Sequence, residues 1–158
     1  MASKKWMILV AGLAVAGIAL LLYTLLRDRG PAFIAPTDKA MVLRGKALYA
    51  ANCASCHGEA LQGQPNWRER LPNGRLPAPP HDKTGHTWHH PDAILIDIIK
   101  HGLVPGRTAP RGYQSDMPAY AGILSDDEII AVLAYIKGTW PPAVLQAQKE
   151  VTLQSAQR

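Results

Sequence analysis

The apolar and polar positions divide the chain into one unbroken apolar run and three shorter stretches with helical spacing. Residues 7–26, MILVAGLAVAGIALLLYTLL, carry no charged side chain. As a helix rising 1.5 Å per residue, this run would measure about 30 Å, the thickness of a bilayer's hydrocarbon core. The first periodic stretch, DKAMVLRGKALYA, starts beside Thr37 and Asp38, either of which can cap a helix, and places Met41, Leu48 and Tyr49 at apolar positions. The second, PDAILIDIIKHG, has Pro91 for its first turn, His90 for its cap and Gly102 as terminator. In the third, SDDEIIAVLAYIKGTWPP, Ser125 and Glu128 have capping-box spacing. There Lys137 suits the C-terminal end, and Gly138 and Pro141 stop the helix. Strand-type alternation is weak throughout, so the expected fold class is all-α.

The apolar run is expected to be a retained single transmembrane helix. Leu20, Leu21, Leu22, Tyr23, Leu25 and Leu26 fill its end, and its small residues lie in the middle, where cleavage would leave much of the run attached. A cleaved signal peptide is the alternative. Lys4 and Lys5 precede the run, whereas Arg27 and Arg29 after it are partly offset by Asp28. That asymmetry predicts a cytoplasmic N terminus and a periplasmic body in a bacterial inner membrane. The expected organisation is an anchor and juxtamembrane segment over 1–30, a domain over 31–141, and a tail over 142–158 that forms a short helix or frays. Gly30, Pro31 and Pro36 would keep the connector short.

The formal charge of +5 gives little support to a nucleic-acid partner. Four of the 17 basic residues and one of the 12 acidic ones fall in residues 1–30, leaving 13 against 11 for the rest. No Lys/Arg stripe interleaved with aromatics is present, so nucleic acid is excluded as the expected partner. Glycine and proline supply 13 residues each and phenylalanine one, which implies long loops and a core that a bulky prosthetic group would help to fill.

Candidate chemistry is concentrated at residues 53–57, CASCH, which contain the only two cysteines, Cys53 and Cys56. A zinc site would need further ligands, and no second cysteine pair supplies them. A thiol redox motif or a disulfide-closed turn is the remaining alternative. His57 directly after the second cysteine completes C-x-x-C-H, the pattern for covalent attachment of one haem c, with the histidine placed to become an axial ligand.

Gly45, Tyr49 and Cys53 resemble the G-x-x-x-(Y/F)-x-x-x-C signature of class I cytochromes c, and the resemblance runs from about Asp38 to Trp140. It implies an all-α class I cytochrome c fold around one covalent haem, in which the helix entering the attachment motif crosses the last helix of the domain. Val132 and Tyr135 look like the receiving face. The family places its second axial ligand, a methionine, in a loop before that last helix. Here Met117 in GYQSDMPAY matches, making His57 and Met117 the implied iron ligands, while Met41 is expected to fill core space. Bis-histidine ligation stays open, with His81, His86, His89, His90 and His101 as candidates; the cluster 81–90 is also a candidate transition-metal site. Residues 61–91 depart from a minimal domain of this class. They are expected to wrap a haem edge, with a carbonyl of Gly63-Gln64-Pro65 orienting His57, Tyr113 or Trp88 donating to a propionate, and Arg68, Arg70 or Arg75 meeting a partner.

An iron with both axial positions filled has no place for substrate. The resemblance therefore implies one-electron transfer rather than catalysis, between respiratory or photosynthetic membrane complexes. A quinol-cytochrome c reductase as donor and a terminal oxidase as acceptor are the natural partners, with the lipid bilayer engaged through residues 7–26. A dedicated electron-transfer subunit of a periplasmic oxidoreductase is the alternative, followed by a haem peroxidase or ligand sensor.

Overall fold

The computed structural model describes residues 11, 13, 14, 16–23 and 33–157. The chain falls into two units, Met1–Pro31 and Ala32–Arg158. In the first, the described residues are helical, and Leu13, Ile18, Leu20, Leu21, Leu22 and Tyr23 are each more than half exposed. Among the described residues no helix is long and apolar enough to cross a membrane. Within the apolar run, residues 7–10, 12, 15 and 24–26 lie outside the described residues.

The second unit contains helices α1 (Lys39–Asn52), α2 (Ala54–His57), α3 (Asp92–His101), α4 (Asp126–Gly138) and α5 (Pro142–Ser155), with a 3₁₀ turn at Thr87–His89. Among the described residues there is no strand, only the isolated bridges Pro105–Ala109 and Ala121–Leu124. Asp38 is the residue that caps α1, accepting from the backbone N–H groups of Ala40 and Met41 at 2.8 and 3.2 Å. The predicted Ser125–Glu128 capping box opens α4. At α3 the cap is Pro91, not His90, and Asp92 is the first helical residue.

Helices α1 and α4 form the main packed pair. Their approach depends on Gly45, where a Cβ would lie 1.9 Å from the carbonyl oxygen of Ala131 and 3.1 Å from the Cβ of Tyr135. No side chain fits that crossing. One turn on, Tyr49 is 1% exposed and packs with Val132 and Ile136, its ring centroid 5.4 Å from that of Tyr135. A second core cluster joins Ile34, Leu95, Leu124, Ile129 and Leu133, with Met41 against it in the expected packing role.

The segment after Pro141 is ordered as α5, and polar contacts join it to α3 and α4. Asp92 and Lys137 are 1% and 0% exposed, and the ammonium reaches both carboxylate oxygens at 2.7 and 2.8 Å. Gln148 Nε2 donates to Asp92 Oδ1 at 2.7 Å, and the Ile34 N–H donates to Oδ2 at 2.6 Å. The Asp92 N–H donates to Thr152 Oγ1 at 3.2 Å, and the Phe33 ring lies 3.9 Å from the ammonium. The cost of burying both charges is offset by this set of hydrogen bonds.

Candidate functional site

The attachment segment turns sharply out of α1. The backbone N–H of Cys53 closes on Tyr49 at 2.8 Å, that of His57 on Cys53 at 2.9 Å, and that of Gly58 on Ala54 at 2.9 Å. The Tyr49 hydroxyl holds the end of the turn by donating to the Gly58 carbonyl at 2.8 Å. Burial pushes the Tyr49 phenol up, so it remains a protonated donor. Both thiols are free, with Cys53 partly buried and Cys56 exposed. Burial, with Cys56 beside it, pushes the Cys53 thiol up to about 11, so it stays protonated at neutral pH.

His57 is 8% exposed, and its Nδ1 lies 2.8 Å from the carbonyl oxygen of Pro79. A carbonyl only accepts, so Nδ1 carries the proton and Nε2 keeps its lone pair for a metal. Burial lowers the His57 pKa against the opposing effect of this hydrogen bond, favouring the neutral ring a ligand requires. The orienting carbonyl therefore comes from Pro79 and not from Gly63-Gln64-Pro65. Gly63 instead donates its N–H to the His57 carbonyl at 2.8 Å, and with φ +67° brings Pro80 so close that a Cβ at 63 would meet its nitrogen at 2.4 Å. That contact presses residues 79–81 against the attachment segment.

The next residue in that wall is His81. Its ring stacks on His57, with centroids 4.0 Å apart and planes at 22°. The His81 pKa is held well below 6.5 by burial and then by His57 and His86, leaving the ring uncharged at neutral pH. In the sequence alone His81 is one of five histidines outside the attachment motif. The other members of the cluster form ring contacts. His86 stacks with Trp67 at 5.5 Å and meets His90 edge-on at 5.5 Å, while His89 stacks on Trp88 at 3.7 Å. His101 lies 3.7 Å from Asp97. Among the described residues no group of three or more His, Cys, Asp or Glu side chains is placed to hold a metal ion.

Met117 lies in the irregular segment between α3 and α4 and is half-buried. Its N–H donates to Ser115 Oγ at 3.0 Å. Three residues on, the Tyr120 hydroxyl donates to the carbonyl of Asn52, the residue before Cys53, at 2.5 Å. The backbone N–H of Tyr120 reaches the Ile99 carbonyl at 3.0 Å, and that of Ala121 reaches Lys100 at 2.9 Å. The Met117 segment is thereby tied to the end of α3 and to the start of the attachment turn. Burial, then Cys53 and Cys56, raise the Tyr120 pKa, consistent with a phenol facing both thiols.

The three arginines of the long loop are engaged within the domain. Arg68 lies over Trp67 at 4.2 Å, Arg70 donates to the Gly74 carbonyl at 2.6 Å and lies 5.9 Å from the Tyr113 ring, and Arg75 pairs with Asp116. The Trp88 indole N–H is buried without a hydrogen-bond partner among the described residues. Two free thiols, a neutral imidazole with an oriented Nε2 and an orphaned buried donor suit a covalently held metalloporphyrin whose carboxylates need donors.

The family profile described as Cytochrome c matches residues 42–140, and the chain belongs to the cytochrome c family. Its cofactor is haem c, covalently attached, and Cys53, Cys56 and His57 fit the C-x-x-C-H motif. Cytochrome c-555 of Prosthecochloris aestuarii is 27% identical over 110 residues, covering 65% of this chain and 91% of that protein. The Cbb3-type cytochrome c oxidase subunit CcoP of Azospirillum brasilense is 32% identical over 101 residues, covering 63% of this chain and 29% of that protein. No solved structure matches significantly. Family membership supports electron transfer as the general function.

Proposed function

We propose that the protein is a membrane-anchored carrier of single electrons, in which Cys53 and Cys56 hold the haem and His57 Nε2 and Met117 Sδ are the axial ligands. The haem supplies a one-electron Fe(III)/Fe(II) couple. The chain holds it at two thioethers, fixes the His57 ring through Pro79, and keeps Met117 on a segment closed by Tyr120. The observation that carries this reading is the Tyr120–Asn52 hydrogen bond at 2.5 Å, which ties the methionine segment to the attachment turn. His81 is a poor alternative to Met117. A ring stacked face to face on His57 at 4.0 Å lies beside that ligand, where it would not supply a second one.

The anchor reading rests on the uncharged run 7–26 and on the exposure of Ile18, Leu20, Leu21, Leu22 and Tyr23. Lys4 and Lys5 favour a cytoplasmic N terminus and a periplasmic haem domain. An anchored carrier would shuttle between a quinol-oxidising donor and a terminal oxidase. A second reading, a dedicated subunit of an oxidase complex, draws support from the similarity to CcoP.

Full-length haem-loaded protein in vesicles, reduced and mixed with oxidase-containing membranes under air, tests the proposal. Rapid oxidation of its haem is expected, with the protein recovered in the membrane fraction and separable from the oxidase. Haem that stays reduced would overturn the electron-donor role. Purification in a fixed ratio with the oxidase would favour the subunit reading.

A further inference from the structure

We propose that His81 is a positioning residue for the proximal iron ligand, setting the plane of the His57 imidazole by stacking on it. This inference rests on the reading of His57 as an axial ligand and adds a residue that the attachment motif does not contain.

The Pro79 carbonyl constrains His57 at one atom, Nδ1, at 2.8 Å. With the side chain otherwise tethered only through Cβ, one hydrogen bond still tolerates some rotation of the ring about the Cβ–Cγ bond. A flat ring at 4.0 Å and 22° opposes that rotation, because turning His57 drives its edge into the neighbour. For this to work, His81 must itself be fixed, and its polar groups are held from three directions. Its N–H donates to the Leu61 carbonyl at 2.8 Å, and its own carbonyl accepts from Trp140 Nε1 at 2.7 Å. Its Nδ1 shares a hydrogen bond with Thr87 Oγ1 at 2.8 Å, and Tyr49 stands edge-on at a centroid distance of 6.3 Å.

The surroundings are built around this placement. Leu61 is 2% exposed and has φ 65°, a conformation that L side chains rarely adopt, yet its carbonyl accepts from both His81 and Asp82. Thr87, in the 3₁₀ turn against which α5 packs, is 7% exposed. Trp140 stands at the junction of α4 and α5. Helix α5 therefore supports, through the turn at 87–89, the ring that holds His57. The imidazole plane fixes how ligand orbitals overlap the iron d orbitals, and hence how unpaired spin spreads over the porphyrin in the ferric state.

Proton NMR of the full-length ferric holoprotein reads that spin distribution as the pattern of haem-methyl resonances. His81→Leu, which removes the flat ring, is expected to change their spacing and order, and His81→Phe, which keeps a ring but loses its bond to Thr87, to change them less. Thr87→Val cuts the tether while leaving His81 in place; it serves where the leucine variant fails to accumulate, and it too is expected to move the pattern. A pattern unmoved in His81→Leu, or in Thr87→Val where that variant stands in, while shifted ring protons of a bound imidazole are present, would overturn this inference alone. A wild-type spectrum lacking those imidazole protons would overturn the assignment of His57 on which it rests.

Discussion

Tyr120 and Asn52, 68 residues apart in sequence, are joined by a 2.5 Å hydrogen bond from phenol to main-chain carbonyl. One partner lies three residues past Met117, the other immediately before Cys53. The bond ties the methionine segment to the attachment turn without involving either ligand proposed for the iron. Tyr120→Phe should leave the fold intact at a cost of about 1 kcal/mol, the ordinary value for one such bond. With Met117 as the proposed ligand, the larger effect should be kinetic, because a freed segment would release the methionine more often. Imidazole binding to the ferric protein, followed by stopped-flow absorbance, should be several-fold faster than in wild type. An unchanged rate would show that Tyr120 does not restrain the segment.

Gly45 marks the helix crossing. With Ala131 O only 1.9 Å from where a Cβ would stand, Gly45→Ala must separate α1 from α4. Overpacking of this kind costs on the order of 1–3 kcal/mol. Urea unfolding should report a lower midpoint with little change in slope, and a stability equal to wild type would contradict the packing described.

The Asp92–Lys137 pair should behave as a unit. Removing one charge leaves the other buried, so Asp92→Asn or Lys137→Met should each cost about 3–5 kcal/mol. The double variant should cost clearly less than the two single effects combined. A thermal or urea double-mutant cycle measures the difference. Additive losses would mean that the two groups do not share their stabilisation.

Stability should fall on acidification through the histidine loop. Partial desolvation first, then neighbouring histidines and, at His86, Arg68, lower the pKa values of His86 and His90 below 6.5. The unfolded chain, with ordinary values, therefore takes up protons first as the pH drops. The contribution of these two residues is complete above 6.5 and is lost as the pH falls toward their folded values. Urea midpoints at about pH 7.5 and 5.5, on either side of the ordinary histidine value, should differ less in a His86→Asn, His90→Asn double variant than in wild type. An equal difference in both proteins would remove these two rings from the account.

Local chemistry made much of this architecture legible. Ser125 and Glu128 announced α4, because capping acts within a few residues, whereas the α1–α4 crossing was implied by the resemblance of Gly45, Tyr49 and Cys53 to the class I cytochrome c signature. The stack of His81 on His57 and the carbonyl of Pro79 depend on how a long loop folds back, which periodicity does not encode. Lys137 was read as a helix-end charge, yet it lies one turn beyond the buried Leu133 and on the same side. Its partner Asp92 is 45 residues away in sequence, and only packing brings the two together. Helix α5 was obscure for a related reason. Its contacts with α3 run through Gln148 and Thr152, so apolar periodicity did not decide whether the segment packs as a short helix or frays.

The most direct test of the central claim is the near-infrared spectrum of the oxidised full-length protein, where methionine sulfur bound to ferric haem gives a weak charge-transfer band. The account predicts that band in wild type and its loss in Met117→Leu. Its absence from the wild-type spectrum would contradict the His57/Met117 pair and the closed electron-transfer site built on it.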